Sequence, residues 1–340
     1  MSLERLQDES GLELERTVEP RLVPGRLCAW GEGYVRGVSL RSCGLTSVPE
    51  CLATLDRLEV LVLDDNELDR LPDAVRRLGT LRELHVDHNR LVELPPWISD
   101  LAQLSTLHVY GNRLHELPAS LSALVGLVDL SVGHNAIEAW PEELAELRRL
   151  RALNLGQNRL SAVGESIGQL GELEMLDLGH NRLETLPERF AELTSLTSFL
   201  YLADNRLREL PPVLRRLERL RYLGLDDNEL GTLPSWIAEL GALEELRIGG
   251  NELDELPESL GSVSGLRELH LRGNRLTSLP ASVSELHQLR HLDLRANPLT
   301  ELPAFVAELP ALAKLDLRWA KLARPPWIER LVQRGCSVLA

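Results

Sequence analysis

Asparagine recurs on a fixed period along this chain of 340 residues, at Asn66, Asn89, Asn112, Asn135, Asn158, Asn181, Asn205, Asn228, Asn251, Asn274 and Asn297. Neighbours stand 23 residues apart, except Asn181 and Asn205, which are 24 apart. Each period supplies one small unit that cannot bury its apolar side alone, so the copies must stack into a solenoid. The unit around Asn89 reads Leu81-x-x-Leu84-x-Val86-x-x-Asn89-x-Leu91-x-x-Leu94-Pro95, followed by Ile98 and Leu101. The unit around Asn274 repeats it as Leu266-x-x-Leu269-x-Leu271-x-x-Asn274-x-Leu276-x-x-Leu279-Pro280, followed by Val283 and Leu286. Leu84-x-Val86 alternates apolar and polar, the pattern of a short strand with one buried side. An amide side chain where the chain leaves that strand can pair backbone groups of adjacent turns that would otherwise be orphaned. Proline stands six residues past the asparagine position in twelve units, where its fixed φ suits the start of a short helical or 3-10 turn. Cys43 takes the asparagine position in a first unit and Ala320 in a last one, so thirteen units are expected.

These motifs resemble the leucine-rich repeat family, and within it a 23-residue class with a Leu-Pro-x-x-Ile/Val/Leu segment. That class is similar to the repeats of plant intracellular Ras-group-related proteins and of Ras-pathway scaffolds, and the resemblance spans roughly residues 35–330. It implies an α/β fold, a curved solenoid with parallel strands on its concave face and short helical or 3-10 segments on its convex face. The spacings agree, since strands pack about 4.8 Å apart and helical segments about 8–10 Å apart. It also implies a non-enzymatic protein-binding or scaffold module in signalling, with a GTPase as one possible partner.

Residues 1–34 depart from the period and are expected to form an N-terminal cap, residues 35–323 the repeat array and residues 324–340 a C-terminal cap. Within the first of these, Leu3, Leu6, Leu12, Leu14 and Val18 suggest an amphipathic segment, Pro20 to Gly25 a linker, and Trp30 to Tyr34 a turn. Pro326-Trp327-Ile328 should open a last amphipathic turn carrying Leu331 and Val332 and ending at Gly335, with Cys336 and Val338 folding back on the final unit. A net charge of −15 argues against nucleic acid and anionic membrane as partners, since both need a basic footprint. No apolar run is long enough to span a membrane. The four cysteines are not clustered, Cys43 reads as a buried small hydrophobe, and a reducing, cytoplasmic setting is expected. Arginine outnumbers lysine 35 to 2, a bacterial association. A monomer that binds a protein or peptide is the main reading. The alternatives are a bacterial effector acting in a host cytosol and a self-associating structural protein.

The positions six, four, two and one residues before each asparagine should point outward from the strand. Seven of nine histidines fall there (His85, His88, His108, His134, His180, His270, His291), as do three of four tyrosines (Tyr110, Tyr201, Tyr222). Amphipathic rings of this kind suit recognition better than mere solubility. Through the Asn228 unit the face carries nine acids, among them Asp64, Asp87, Asp177, Asp204 and Asp226, against one base, Arg41. The last four units carry Arg247, Arg272, Arg295, Lys314 and Arg318 beside Glu245, Glu268, Asp293 and Asp316. Such sorting orients a partner more than it tightens binding. A plain solvated surface is the competing reading.

The extra residue before Asn205 lies between Leu196 and Leu200, so a bulge is expected that places Phe199 beside Tyr201, with Tyr222 and Met175 nearby. That would make an apolar patch rimmed by Asp177, Asp204 and Asp226, or else Phe199 turns inward to fill the core. His85, His108, Asp87 and His88 offer metal-ligand chemistry, but a hydrogen-bonding surface is the preferred reading and no cofactor is expected. No phosphate loop, nucleophile elbow or kinase signature appears, so no enzyme is expected. Gly164 replaces the usual proline and is followed by Gly168 and Gly171, either a point of flexing or a tolerated lapse. Trp97 and Trp236 follow the proline and either pack on it or stay exposed.

Overall fold

The structure, a computed structural model, describes residues 15–16, 28–30, 34–320, 322 and 325–340. It divides into two compact units, Met1–Arg159 and Leu160–Ala340. In the first unit the strands are β1 (Glu15–Arg16), β2 (Cys28–Trp30), β3 (Gly37–Ser39), β4 (Val60–Val62), β5 (Glu83–His85), β6 (Thr106–His108), β7 (Asp129–Ser131) and β8 (Ala152–Asn154). In the second they are β9 (Met175–Asp177), β10 (Phe199–Tyr201), β11 (Tyr222–Gly224), β12 (Glu245–Arg247), β13 (Glu268–His270), β14 (His291–Asp293), β15 (Lys314–Asp316) and β16 (Ser337–Leu339). From β3 to β8, and from β9 to β16, each strand pairs in parallel with the next in sequence. The thirteen expected coils are present, six in the first unit and seven in the second.

One coil explains the rest. The middle residue of β5, Leu84, is fully buried, as are Val86, Leu91, Ile98 and Leu101 further round the turn. Residues 23 apart pair directly, Leu84 with Leu107 for example, so identical side chains stack on identical side chains. Each asparagine closes the turn as the period predicts. Asn89 Nδ2 donates to the carbonyls of Leu63, Val86 and Asp87, and its Oδ1 accepts from the Leu68 amide. Proline then ends the extended stretch. Pro95, at φ −68° and ψ 147°, precedes the 3-10 segment Pro96–Asp100, and its carbonyl accepts from the Ile98 amide. Proline is therefore the cap of the 3-10 turn rather than a member of it. Gly164 adopts nearly the same angles, φ −73° and ψ 155°, and the following segment Glu165–Gln169 forms in register. The missing proline is a tolerated lapse.

The ends depart from the regular coil. β2 runs antiparallel to β3, pairing Cys28 with Ser39 and Trp30 with Gly37. The amphipathic segment, the linker and the middle of the Trp30–Tyr34 turn fall on residues outside those described, apart from Glu15–Arg16 in β1. At the C-terminus the helix Ile328–Gln333 buries Ile328 and Leu331 but leaves Val332 exposed. Gly335 turns the chain at φ 86°, Cys336 is buried, and β16 continues the parallel ladder one 23-residue step beyond β15, Val338 beside Leu315. The last segment thus adds an eighth parallel strand to the second unit, among the described residues, rather than merely folding back. Cys43 is half-buried, not a core hydrophobe; its amide donates to Asn66 Oδ1 and its Sγ faces the Arg41 carbonyl. Burial still pushes that thiol up to about 11. Trp97 and Trp236 are half-buried on the 3-10 side. No helix among the described residues is long and apolar enough to cross a membrane.

Candidate functional site

The strands carry their outward side chains in rows, because parallel pairing without stagger sets equivalent positions side by side. In the first unit His85 and His108 are register partners and meet edge to face at 4.7 Å. A second row runs His88, Tyr110, His134, with ring centroids 5.4 and 5.5 Å apart. His88 and His134 sit immediately before their asparagines in the left-handed region, at φ 52° and 51°. His180, Asp204 and Asp227 in the second unit share that conformation. The position before asparagine is expected to point outward as one more strand residue. It is a turn residue that projects from the rim of the face, and Gly111 at the equivalent place leaves the room that His88 fills.

In the second unit the extra residue acts just ahead of β10. Against β9 the ladder is regular, with Phe199 beside Met175. Against β11 it begins only at Leu200, and the Arg221 amide reaches the Thr197 carbonyl instead of the residue after it. Phe199 thereby has no ladder partner on β11 and stays on the face, half-buried, rather than turning into the core. It stacks on Tyr201 at 5.9 Å and 10°, and leans on Tyr222 at 5.1 Å. Tyr201 lies flat because two neighbours lack side chains. A Cβ on Gly179 or Gly224 would come within 2.4 or 2.6 Å of its ring. Met175, 44% exposed, extends the patch, and the Arg247 guanidinium lies 5.9 Å from the Tyr222 ring centroid. Burial pushes the Tyr222 hydroxyl up to about 12, so it remains a donor. Asp204 on the rim holds His180 Nδ1 at 2.6 Å.

Several of the expected contact acids already have work within the fold. Asp64 is buried, contrary to its reading as an exposed contact, and its Oδ1 accepts from the Asp87 amide. Asp87 accepts from the Tyr110 amide and Asp226 from the Gly249 amide, at 2.7 Å each, while Asp177 accepts from Gly179 at 2.9 Å. These short carboxylates reach amides on their own or the next coil that the ladder leaves unpaired. Burial raises Asp87, Asp177 and Asp226 above the usual carboxylate range despite those bonds, and in Asp87 the neighbouring Asp64 adds to the rise. A raised folded-state value means that ionised Asp226 opposes folding at neutral pH, and the opposition fades as pH falls through it. Asp226→Asn keeps an oxygen for the Gly249 amide. It is expected to melt higher than the parent at neutral pH, with the two curves converging in acid; a lower melting point at neutral pH would mean that the charge itself stabilises the coil.

The basic end is less free than its composition suggests. Arg247 is held by Glu245 at 2.6 Å, Arg295 by Asp293 at 2.6 Å and Arg318 by Asp316 at 2.7 Å, while Arg272 lies 3.8 Å from Asp227. Asp293 and Asp316 are almost wholly buried. Burial opposes their charge, but the arginine hydrogen bonds hold both below the usual range. Their stabilisation is therefore present above that range and lost as pH falls through the depressed values. His270 and His291 pair edge to face at 4.6 Å beside Glu268. Burial, His270 and Lys314 lower the pKa of His291. Trp319, outside the contact residues expected above, precedes Ala320 on this face at φ 62° and is 71% exposed under the Arg318 guanidinium. Its position, one before the asparagine equivalent, was the available signal.

Stacked coils with one face of short parallel strands and a face of aromatic, histidine and paired charged residues define a repeat solenoid of the recognition class. Leucine rich repeat profiles match residues 102–160, 148–207 and 264–322, and a second such profile matches 80–101. The chain is similar to a leucine-rich repeat protein of Leptospira interrogans, with 30% identity over 87% of this chain and 81% of that one and a TM-score of 0.76. A Listeria monocytogenes internalin shares the fold at 21% identity and a TM-score of 0.81, over 89% and 86% of the two chains. A plant peptide hormone receptor, RGFR1, solved in complex with RGF2, matches at 26% identity and a TM-score of 0.70 over 89% of this chain and 55% of its own. No curated protein matches. The chain belongs to the leucine-rich repeat family, whose fold generally serves protein–protein recognition.

Proposed function

We propose that this chain is a non-enzymatic binding module that recognises an extended, basic segment of a protein or peptide on the strand face of its second unit. The observation that carries the reading is the patch of Met175, Phe199, Tyr201 and Tyr222, held outward by the extra residue before β10 and rimmed by acids. Exposed aromatic groups ringed by polar side chains are the usual anchors of an interface. Asp177, Asp204, Asp226 and Asp227 surround it, so complementarity favours a positively charged ligand. RGFR1, similar in fold, is known in complex with the peptide RGF2, which supports a peptide-like ligand. The rows of His85, His88, His108, Tyr110 and His134 on the first unit, and of His270, Arg272, His291, Arg295 and Arg318 on the second, are read as secondary contacts.

The 23-residue period with its Leu-Pro turn resembles the plant intracellular Ras-group-related repeats, and a GTPase or another signalling protein fits that resemblance as the source of the segment. Two bacterial proteins among the similar structures and the arginine-rich composition support a bacterial source. Unpaired Cys43 and Cys336 suit a reducing compartment, so we read the protein as a cytoplasmic monomer. Residues 1–34 and 324–340 are read as the two end caps.

An array of short peptides graded in charge and aromatic content, probed with the full-length protein, tests the reading. Basic peptides with an aromatic or aliphatic anchor should be retained, and acidic ones rejected. Gly224→Ala should lower the affinity about fivefold, since swinging Tyr201 off its seat costs roughly 1 kcal/mol. Retention that ignores charge and is indifferent to Gly224→Ala would dismiss this face as the site.

A further inference from the structure

We propose that Glu268, His270 and His291 hold a divalent transition-metal ion, Zn²⁺ in first place, on the strand face of the second unit. Glu268 and His270 lie two residues apart on β13 and so project from the same side of the sheet. His291 on β14 is the direct register partner of Glu268. The three side chains therefore form a triangle from two adjacent strands. His270 Nε2 lies 3.1 Å from Glu268 Oε2, and His291 Nδ1 lies 3.6 Å from the same oxygen. All three ligand atoms fall within 4.8 Å of one another. Two metal–ligand bonds of about 2.05 Å at a tetrahedral angle place their donor atoms about 3.3 Å apart. The side chains thus stand close to ligand spacing as they are. Two imidazoles and a carboxylate are nitrogen and oxygen donors suited to Zn²⁺, whose filled shell imposes no geometry of its own.

The surroundings fit as well. His270 Nδ1 faces Asp293 Oδ2 at 4.0 Å, too long for a hydrogen bond but on the side where an outer carboxylate orients a ligating histidine. Glu245 Oε1 lies 3.7 Å from His270 Nε2, near enough to complete the shell or to hold a water there. Arg247 and Arg295, two guanidinium groups of this face, are engaged by Glu245 and Asp293. Lys314, register partner of His291 on the next strand, is a further neighbouring cation.

The other histidine pair shows why register matters. Glu83 and His85 repeat the Glu-x-His spacing on β5, but the second histidine, His108, is opposite His85 rather than Glu83. His108 Nε2 turns to Asp129 at 3.2 Å, and no triangle forms.

Equilibrium dialysis of the full chain against Zn²⁺ near neutral pH, followed by elemental analysis, provides the test. One ion per chain is expected for the parent and for His108→Gln. Glu268→Gln and His291→Gln should each lose at least tenfold in affinity. Co²⁺ in place of Zn²⁺ should give the intense visible absorption of a four-coordinate site in the parent and lose it in both variants, with circular dichroism confirming that each remains folded. No bound zinc in the parent, equal binding by folded Glu268→Gln and His291→Gln, or loss caused by His108→Gln would each overturn the assignment.

Discussion

Alanine at both Tyr201 and Tyr222 is expected to weaken partner binding by at least about 30-fold while moving the melting temperature little. Truncating a central aromatic anchor commonly costs about 2 kcal/mol or more, which is about 30-fold in affinity. Both rings lie on the face, half-buried among Phe199, Met175 and Arg247, and neither fills the leucine core. Beneath them Leu200 and Leu223 are fully buried and would be untouched. Fluorescence anisotropy with a peptide retained by the parent gives the affinity, and a thermal scan gives the stability. Unchanged affinity would place recognition elsewhere, with Trp319 and the His88–Tyr110–His134 row the next surfaces to probe. A collapse of the melting temperature instead would make the rings structural.

Asn228→Ala should have the opposite signature, a loss of about 3 kcal/mol in stability. Asn228 is buried, donates to the carbonyls of Leu202, Leu225 and Asp226, and accepts from the Leu207 amide. Alanine would strand these backbone groups in the interior, where an unpaired polar group costs about 1–3 kcal/mol. Asn228→Asp is expected to be worse still, because it turns a carboxylate oxygen toward the same carbonyls. Denaturant melts monitored by far-ultraviolet circular dichroism measure both. Losses below about 0.5 kcal/mol for Asn228→Ala would mean that water replaces the amide and that the ladder does not hold the coils together.

Much of this was legible beforehand. The 23-residue spacing identified the coil, because a side chain buried against its own copy must recur on the period of the stack. The asparagine and proline roles followed from backbone groups that need partners at a turn. The insertion before Leu200 pointed to a bulge and to Phe199, because an extra residue between two framed strands has nowhere else to go. Other features hold positions on the period that do not declare their role. The histidines before the asparagines are turn residues at positive φ, which depends on how the chain leaves the strand. Asp64, Asp87 and Asp226 read as solvent-facing acids, yet they close amides of the following coil. The strand β16 was obscured because Gly335 and Val338 stand where most coils carry leucine, although Val338 keeps the step from Leu315.

The sequence by itself determined the coil, its period and which positions form the leucine core, because burial demands recur once per turn and any chain obeying them must stack the same way. Only the tertiary structure decided what the outward side chains do to one another. Whether an arginine is free or bound to the acid beside it, and whether two histidines share a carboxylate, depends on register and rotamer between neighbouring strands. Those are contacts between residues about 23 apart whose alignment no single coil contains.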